Sequence, residues 1–398
     1  MAAKLKDIFV VGAKRTAFGK YGGTLCDWSP TKMAVQSSIA ALKSSNVKPE
    51  DVNGVVVGNV IHSSPDGIYC ARHVGLKSGV PVDREMYAVN RLCGSGFQSV
   101  VNACQSIYIG ESHIVMAAGT ESMSMAPYSI WGTRFGTPLG KNPNVQDALW
   151  SGLTDTYCKL PMALTAENLA EKYKISREDC DLFALHSQQR WAAAFEQNKF
   201  VDEICDVEFK TKKGTAIFNT DEYPRKDANI EMLKKLKPVF KAEGTVTAGT
   251  ASGVNDGAGT IIVASGEACK KYNLEPLARI VGYGAAGCDP SIMGIGPVAA
   301  IKRALGATGL SLDDLDLVEV NEAFAAQYLA VEKELGLNRD KTNSCGGAIA
   351  IGHPLAASGS RIVAHLAYRI RNEPDVKQVV GSACIGGGQG IAVILSKP

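Results

Sequence analysis

Apolar residues recur along this chain with two periods. Unbroken runs such as Ile8-Phe-Val-Val11 and Val55-Val-Val57 predict buried strands. Stretches with apolar residues three and four positions apart predict amphipathic helices. From Ala34 to Asn59 the order is helix (Ala34-Val-Gln-Ser-Ser-Ile-Ala-Ala-Leu42), turn (Lys48-Pro-Glu-Asp51) and strand. The same order returns from Pro297 to Glu322. There the helix holds Val298-Ala-Ala-Ile-Lys-Arg-Ala-Leu305, the turn Ser311-Leu-Asp-Asp314 and the strand Leu317-Val-Glu-Val320. The two stretches align without a gap, Asp51 opposite Asp314. Internal duplication explains the match; the shared vocabulary of ordinary α/β chains is the competing explanation.

A second correspondence supports duplication. Residues 86–120 predict a strand, a Gly-containing turn, a helix from Phe97 to Ile109 and a strand at His113-Ile-Val-Met-Ala-Ala-Gly119. Residues 341–396 predict a Gly-rich turn, a helix from Ser358 to Ile370, a strand at Gln378-Val-Val380, a loop and a strand at Ile391-Ala-Val-Ile-Leu395. Alternating helices and Val/Ile strands predict mostly parallel sheets covered by helices. Between the halves, residues 121–250 are richer in Trp, Lys, Asp and Pro and read as an insertion. Two helices are predicted there, at Thr165–Lys172 and Arg177–Gln197, the second starting from Ser176-Arg-Glu-Asp179. Its basic margin (Lys210, Lys212, Lys213, Lys234, Lys235, Lys237) is either a solvated surface or a landing site for a phosphate-bearing ligand.

Composition narrows the function classes. With 398 residues and 45% hydrophobic content the chain can bury a large core. A net charge of +2 gives no reason to expect nucleic acid or an anionic membrane as partner. No apolar run approaches a membrane span. The eleven cysteines are an odd number scattered through apolar segments, which predicts reduced thiols. Neither cysteines nor histidines show metal-ligand spacing, so no metal site is expected. The first predicted strand begins almost at once, so no cleavable leader is expected. The C-terminal Leu395-Ser-Lys-Pro398 is not a peroxisomal address.

Four segments carry the candidate chemistry: Asn90-Arg-Leu-Cys-Gly-Ser-Gly-Phe97, Asn321-Glu-Ala-Phe324, Gly346-Gly-Ala-Ile-Ala-Ile-Gly-His-Pro-Leu355 and Ser382-Ala-Cys-Ile-Gly-Gly-Gly-Gln-Gly390. Cys93 stands between a predicted strand and a helix. At a helix N-terminus the unpaired N–H groups favour thiolate; a buried structural cysteine is the alternative. Cys384 precedes Gly386-Gly-Gly388, whose N–H groups could line an oxyanion hole or merely turn a hairpin. His353 is the only histidine of six inside a Gly-rich loop. Asn321 ends a predicted strand, a usual place for active-site groups in parallel α/β sheets, though a helix N-cap would also suit it.

These motifs, in this order and spacing, resemble the thiolases over essentially the whole chain. Arg91-Leu-Cys-Gly-Ser-Gly-Phe-Gln-Ser99, Pro161-Met-Ala-Leu-Thr-Ala-Glu-Asn168 and Ser187-Gln-Gln-Arg-Trp191 are most similar to the mitochondrial 3-ketoacyl-CoA thiolase branch. The resemblance implies the thiolase fold: duplicated βαβαβαββ halves in a five-layer α/β/α/β/α sandwich with an inserted loop domain. The halves would be residues 1–120 plus 251–273 and residues 274–398, with the insertion at 121–250. It implies a homodimer, or a homotetramer built as a dimer of dimers. It implies CoA-dependent cleavage of 3-ketoacyl-CoA to acetyl-CoA and a shortened acyl-CoA, as in fatty acid β-oxidation. CoA would be a co-substrate, with no permanently bound cofactor.

By the same resemblance, Cys93 is the nucleophile and Cys384 the general acid and base. His353 activates Cys93 and, with a water held by Asn321, forms the oxyanion hole for the enolate. The N–H groups of Cys93 and Gly386 form a second hole for the acyl-cysteine intermediates. Ser252, Ala323, Phe324 and Met162 would contact substrate or CoA, and Arg225 the adenine nucleotide end. The branch keeps its targeting information in an uncleaved N-terminus, which implies the mitochondrial matrix, with the cytoplasm as alternative.

Three departures bear on the branch. Acetoacetyl-specific members show His-Met-Gly where this chain has Pro161-Met162-Ala163. Ala356 replaces a usual Gly after the His353 loop, and Thr250 replaces a usual Asn. The rival readings are an acetoacetyl-CoA thiolase, a decarboxylating synthase of the same fold, and a non-catalytic acyl-CoA or lipid carrier. The synthases lack a second catalytic cysteine, so Cys384 and Asn321 count against them.

Overall fold

The structure, a computed structural model, describes residues 2–5, 7–212 and 214–398. Lys213 of the basic margin lies outside the described residues.

The first half begins with strand β1 (Ile8–Thr16), helix α1 (Pro30–Ser45), β2 (Gly54–Gly58), α2 (Cys70–Lys77), β3 (Glu85–Val89), α3 (Ser95–Tyr108) and β4 (Ile114–Ser122). Ser29 caps α1, and Pro30 occupies its first turn, where a missing N–H costs nothing. The chain then leaves the sheet through hairpin β5–β6 (Tyr128–Trp131, Asn144–Asp147), α4 (Ala148–Gly152), α5 (Met162–Tyr173), α6 (Arg177–Glu196), hairpin β7–β8 (Val207–Thr211, Gly214–Phe218) and α7 (Ile230–Lys234). Ser176 and Asp179 form the capping box that starts α6, at the signal the sequence predicts.

The chain returns as β9 (Asn255–Ser265) and α8 (Gly266–Tyr272), and the second half follows. It contains β10 (Ala278–Gly287), α9 (Gly296–Thr308), β11 (Leu317–Val320), α10 (Ala325–Leu335), α11 (Ala348–Ile351), α12 (Ala357–Asn372), β12 (Gln378–Ile385) and β13 (Gln389–Ser396).

The strand order β3-β2-β4-β9-β1 of the first half is repeated as β11-β12-β13-β10 in the second. A parallel bridge between Val318 and Thr342 stands where β3 would be. Helices correspond as well: α1 with α9, α2 with α10, α3 with α12. Duplication therefore explains the sequence match. The sheets are less parallel than the strand runs suggest. β2 pairs in parallel with β3 and β4, but β9 runs antiparallel to β4 and β1. β13 is antiparallel to β12 and β10. A short Gly turn joins β12 to β13, and so short a link permits only antiparallel pairing.

The two sheets meet where β1 pairs with β10, at Val10 opposite Ala278. α3 and α12 lie between them and touch both. Phe97, Val100, Ile362, Leu366, Val115, Ile261, Val379 and Val393 fill this middle layer. A second apolar cluster packs α1 and α2 on the outer face of the first sheet, and a third packs α9 and α10 outside the second. The result is five layers, α/β/α/β/α.

A row of glycines sets how close the middle helices come. Gly58, Gly119 and Gly259 stand side by side on β2, β4 and β9. A Cβ on Gly58 would strike Ser95, the first residue of α3. One on Gly119 would strike the Ala356 carbonyl just before α12. Gly96 and Gly359 do the same between the helices themselves. The first turns of α3 and α12 are thus in backbone contact, and the loops preceding them converge.

Candidate active site

Cys93 closes a tight turn between β3 and α3. The Asn90 side chain accepts a hydrogen bond from the Leu92 N–H at 2.9 Å. Ser95 Oγ accepts from the Arg91 N–H and donates to the Leu92 carbonyl. These bonds hold Leu92 at φ 46°, a left-handed conformation that leucine rarely adopts. The turn aims Cys93 into a pocket. Burial pushes its thiol up to about 11, against the N–H groups of Gly386 and of Cys93 itself, which favour thiolate. The resting residue is a thiol.

Cys384 lies within β12, which runs to Ile385; the loop expected around it begins only at Gly386. The Gly386–Gly388 segment is also the hairpin turn, with Gly387 and Gly388 at positive φ. Turn and oxyanion donor are therefore compatible readings of one segment. Cys384 is fully buried beside Met293 and Ala323, with Met162 and Phe324 packed on the same cluster. Its thiol is held well above the ordinary range by burial, and further by Cys93 and Cys288 nearby. At rest it keeps its proton.

His353 is brought in by the turn before α12. Its backbone N–H donates to the Gly253 carbonyl at 3.1 Å, tying the loop to the segment that carries Ser252. Nδ1 lies 2.5 Å from Ser358 Oγ, the second residue of α12. Ser358 Oγ also lies 3.3 Å from the Pro354 carbonyl, so it fixes the Nδ1 side of the ring and leaves Nε2 free of it. Burial, with a contribution from Arg361, lowers the imidazole to about 3, so it is neutral at rest.

The Asn321 amide nitrogen is 3.4 Å from Nε2 and 3.5 Å from Nδ1 of His353, over the ring rather than in line with one nitrogen. Asn321 Oδ1 is buried with no partner among the described residues. The N-cap reading of Asn321 fails: α10 starts at Ala325, and Phe324 precedes it. A buried amide oxygen without a partner suits a group that holds a water or a substrate proton.

The pocket beside Cys93 and His353 has a volume of about 310 Å³, and Cys384, Asn321 and Gly386 are not among the residues that line it. Cys93, His353, Met162, Ser252, Ala323 and Phe324 line it, all foreseen from the sequence. The Ser252 N–H donates to the Ala323 carbonyl at 3.0 Å, and Ala251 bridges Phe324, so the two lining segments are stitched together. Thr250, the departure from Asn, is buried. Its hydroxyl donates to the Thr245 carbonyl and accepts from the Thr247 N–H, holding that segment's turn. Ala356 is also buried, its methyl accommodated without displacing His353 from Ser358. Arg225 does not line this pocket. It lies on an adjoining cavity of about 350 Å³ with Tyr223, Ala248 and Gly249. Lys210, Lys212, Lys234, Lys235 and Lys237 are exposed.

Several lining residues had no signal in the sequence. Leu149, Trp150 and Leu153 come from α4 and the turn after it, and Phe240 from an irregular stretch. Trp150 stacks on Phe240 with ring centroids 6.2 Å apart. Ser358 could have been found, since it stands one helical turn beyond the His-Pro pair.

Similarity to known proteins runs over nearly the whole chain. Residues 8–267 match the family model for the thiolase N-terminal domain and residues 274–397 that for the thiolase C-terminal domain. The chain is 60% identical to the protein named 3-ketoacyl-CoA thiolase, mitochondrial, of Bos taurus, over 99% of each chain. The crystal structure of human mitochondrial 3-ketoacyl-CoA thiolase superposes with a TM-score of 0.98 at 58% identity, covering 100% of both chains. The human enzyme solved in complex with CoA gives 0.96 at 57%, covering 100% of this chain and 99% of that one.

Proposed function

This chain belongs to the thiolase family, and from that we propose that it is a 3-ketoacyl-CoA thiolase, cleaving 3-ketoacyl-CoA with CoA through an acyl-cysteine. The observation that carries the reading is the pairing of Cys93 and His353 on the wall of one mostly apolar pocket, with the Gly386 N–H aimed at the sulfur.

The chemistry follows from the resting charges. A neutral imidazole can take the Cys93 proton as sulfur attacks the 3-keto carbon. The C2–C3 bond then breaks, and charge develops on the thioester oxygen of the departing acetyl-CoA. Donors placed where charge develops lower that barrier; His353 and a water held by Asn321 fill this role. Cys384 protonates the enolate, then takes the proton of the incoming CoA thiol, which attacks acyl-Cys93. The N–H groups of Cys93 and Gly386 stabilise the tetrahedral oxyanions. CoA is a substrate here, with Ser252, Ala323, Phe324 and Met162 along its path and Arg225, on the adjoining cavity, toward the adenine end.

We assign residues 1–120 with 251–273 and residues 274–398 to the two halves, and 121–250 to the inserted loop domain. We also propose association of copies as a dimer or a dimer of dimers. β3 is a half-exposed sheet edge. Tyr128, Ile130, Trp131 and Val145 stand exposed on hairpin β5–β6, with Phe135 and Leu139 in its loop. The names of the relatives support a mitochondrial location, and we propose the matrix with an uncleaved N-terminus; N-terminal sequencing of the imported protein would check this.

The test is a series of 3-ketoacyl-CoA substrates from four to sixteen carbons. Each buried methylene contributes about 0.8 kcal/mol, so two more could raise kcat/KM roughly tenfold in an open apolar pocket. We expect medium-chain substrates to be cleaved with higher kcat/KM than acetoacetyl-CoA. A clear preference for acetoacetyl-CoA would favour the acetyl-CoA C-acetyltransferase reading instead. No cleavage of any member would favour a carrier.

A further inference from the structure

Two residues outside the pocket occupy a mechanical position that the proposed roles leave unused. Glu319 is on β11, two residues before Asn321. Along that strand Val318 and Val320 face the outer cluster, whereas Leu317 faces the middle layer. Strand alternation therefore turns Glu319 and Asn321 toward α12. On α12, Ser358, Arg361 and His365 follow at spacings of three and four and share one helical face. Arg361 Nη1 forms an ion pair with Glu319 Oε1, and both side chains are only 4% exposed. The pair links the strand that ends in Asn321 to the helix whose Ser358 holds His353.

The rest of the Arg361 guanidinium is as informative. Its Nε and Nη2 are buried with no partner among the described residues. A buried ion pair contributes little to net stability, because desolvation offsets the attraction. One with unpartnered donors contributes less still, so stability does not explain its presence. What it does supply is a fixed distance between two elements and a positive charge near a histidine that is neutral at rest.

We propose that Glu319 and Arg361 are positioning residues for the enolate oxyanion hole, clamping Asn321 and His353 into register. The inference rests on the thiolase reading above. It makes a selective claim, because the two half-reactions use different donors. Enolate formation uses His353 and Asn321. Transfer of the acyl group between Cys93 and CoA takes its oxyanion donors from the N–H groups of Cys93 and Gly386 and uses His353 only as a base, so it depends on one of the two clamped side chains rather than on both.

The experiment measures both half-reactions on the full-length protein. Solvent deuterium exchange into the methyl group of acetyl-CoA reports enolate formation on the acetylated enzyme. Exchange of labelled CoA into acetyl-CoA reports acyl transfer. For Arg361→Met we expect deuterium exchange to fall on the order of 10²-fold, as for a misplaced catalytic geometry, with CoA exchange falling clearly less. Arg361→Lys keeps the charge but not the fork and should lie between. Should Arg361→Met not fold, the neutral pair Glu319→Gln with Arg361→Met carries the same comparison. Equal loss of both exchanges, or loss of neither, overturns the clamp. A wild-type protein that exchanges CoA but no methyl protons overturns the thiolase reading itself, which separates the two failures.

Discussion

Cys93 and Cys384 are two thiols held protonated by burial, and their surroundings divide the work. Cys93 sits on a strained turn with N–H groups aimed at its sulfur, the setting of a nucleophile. Cys384 is sealed in a strand among apolar side chains and has only a proton to offer. Cys93→Ala should therefore abolish acyl-enzyme formation, read by intact mass after incubation with acyl-CoA. Cys384→Ala should still acylate, yet turn over about 10²–10⁴-fold more slowly, the usual contribution of a general acid–base group. An acyl adduct on Cys93→Ala, or near-normal turnover by Cys384→Ala, would exchange or dissolve these roles. Both residues were legible in the sequence because glycines flank them. Ser358 was less so: nothing in its immediate neighbours says that it holds the His353 ring.

The turns before α3 and α12 correspond between the halves, and each delivers one side chain to the pocket wall, Cys93 and His353. Gly119 sets how deeply α12 sits against β4, because any Cβ there meets the Ala356 carbonyl. Gly119→Ala should cost about 1–3 kcal/mol, the usual penalty for overpacking, measured by denaturant unfolding. It should also lower kcat while leaving the chain-length preference alone, since the pocket wall from α4 is untouched. A change in preference without loss of stability would contradict this. The repeat was readable because helix, turn and strand recur at fixed spacing, Asp51 with Asp314. The acyl-pocket wall was not. Leu149, Trp150, Leu153 and Phe240 lie on one short helix and irregular backbone, where no period distinguishes a pocket-facing side chain from a surface one. The antiparallel strands were misjudged for a related reason: β9 and β13 are apolar on both faces, and burial says nothing of direction.

Three parts of the chain are locked together by one buried charge network. Arg15 of β1 pairs with Glu203 and Asp221 of the 121–250 segment, each at 2.7 Å, and His365 of α12 pairs with Glu203 at 2.7 Å. Burial alone would lower His365, but the Glu203 carboxylate overrides it and pushes the imidazole up to about 10. Burial would likewise raise Glu203, but His365 and Arg15 hold it down to about 2. A raised histidine stabilises fully below its ordinary value of 6.5 and loses that contribution as pH climbs toward about 10. A depressed carboxylate stabilises fully above 4.5 and loses its contribution as pH falls toward about 2. Their joint contribution is therefore greatest between these ordinary values. His365→Gln should flatten the decline of the unfolding midpoint on the alkaline side; an unchanged slope would assign that decline to other groups.

The place of β9 between β4 and β1 has a further consequence, in the order in which the chain is made. Two strands that it must join are finished by Ser122, but β9 ends only at Ser265. At about 5–20 residues per second, synthesis of the intervening chain takes roughly 7–30 s. Through that interval the edges of β1 and β4 that β9 will cover have no partner, the kind of edge that recruits other chains. A growing chain of this protein needs shielding on the ribosome until β9 emerges, and a truncation ending before Asn255 should be recovered as aggregate.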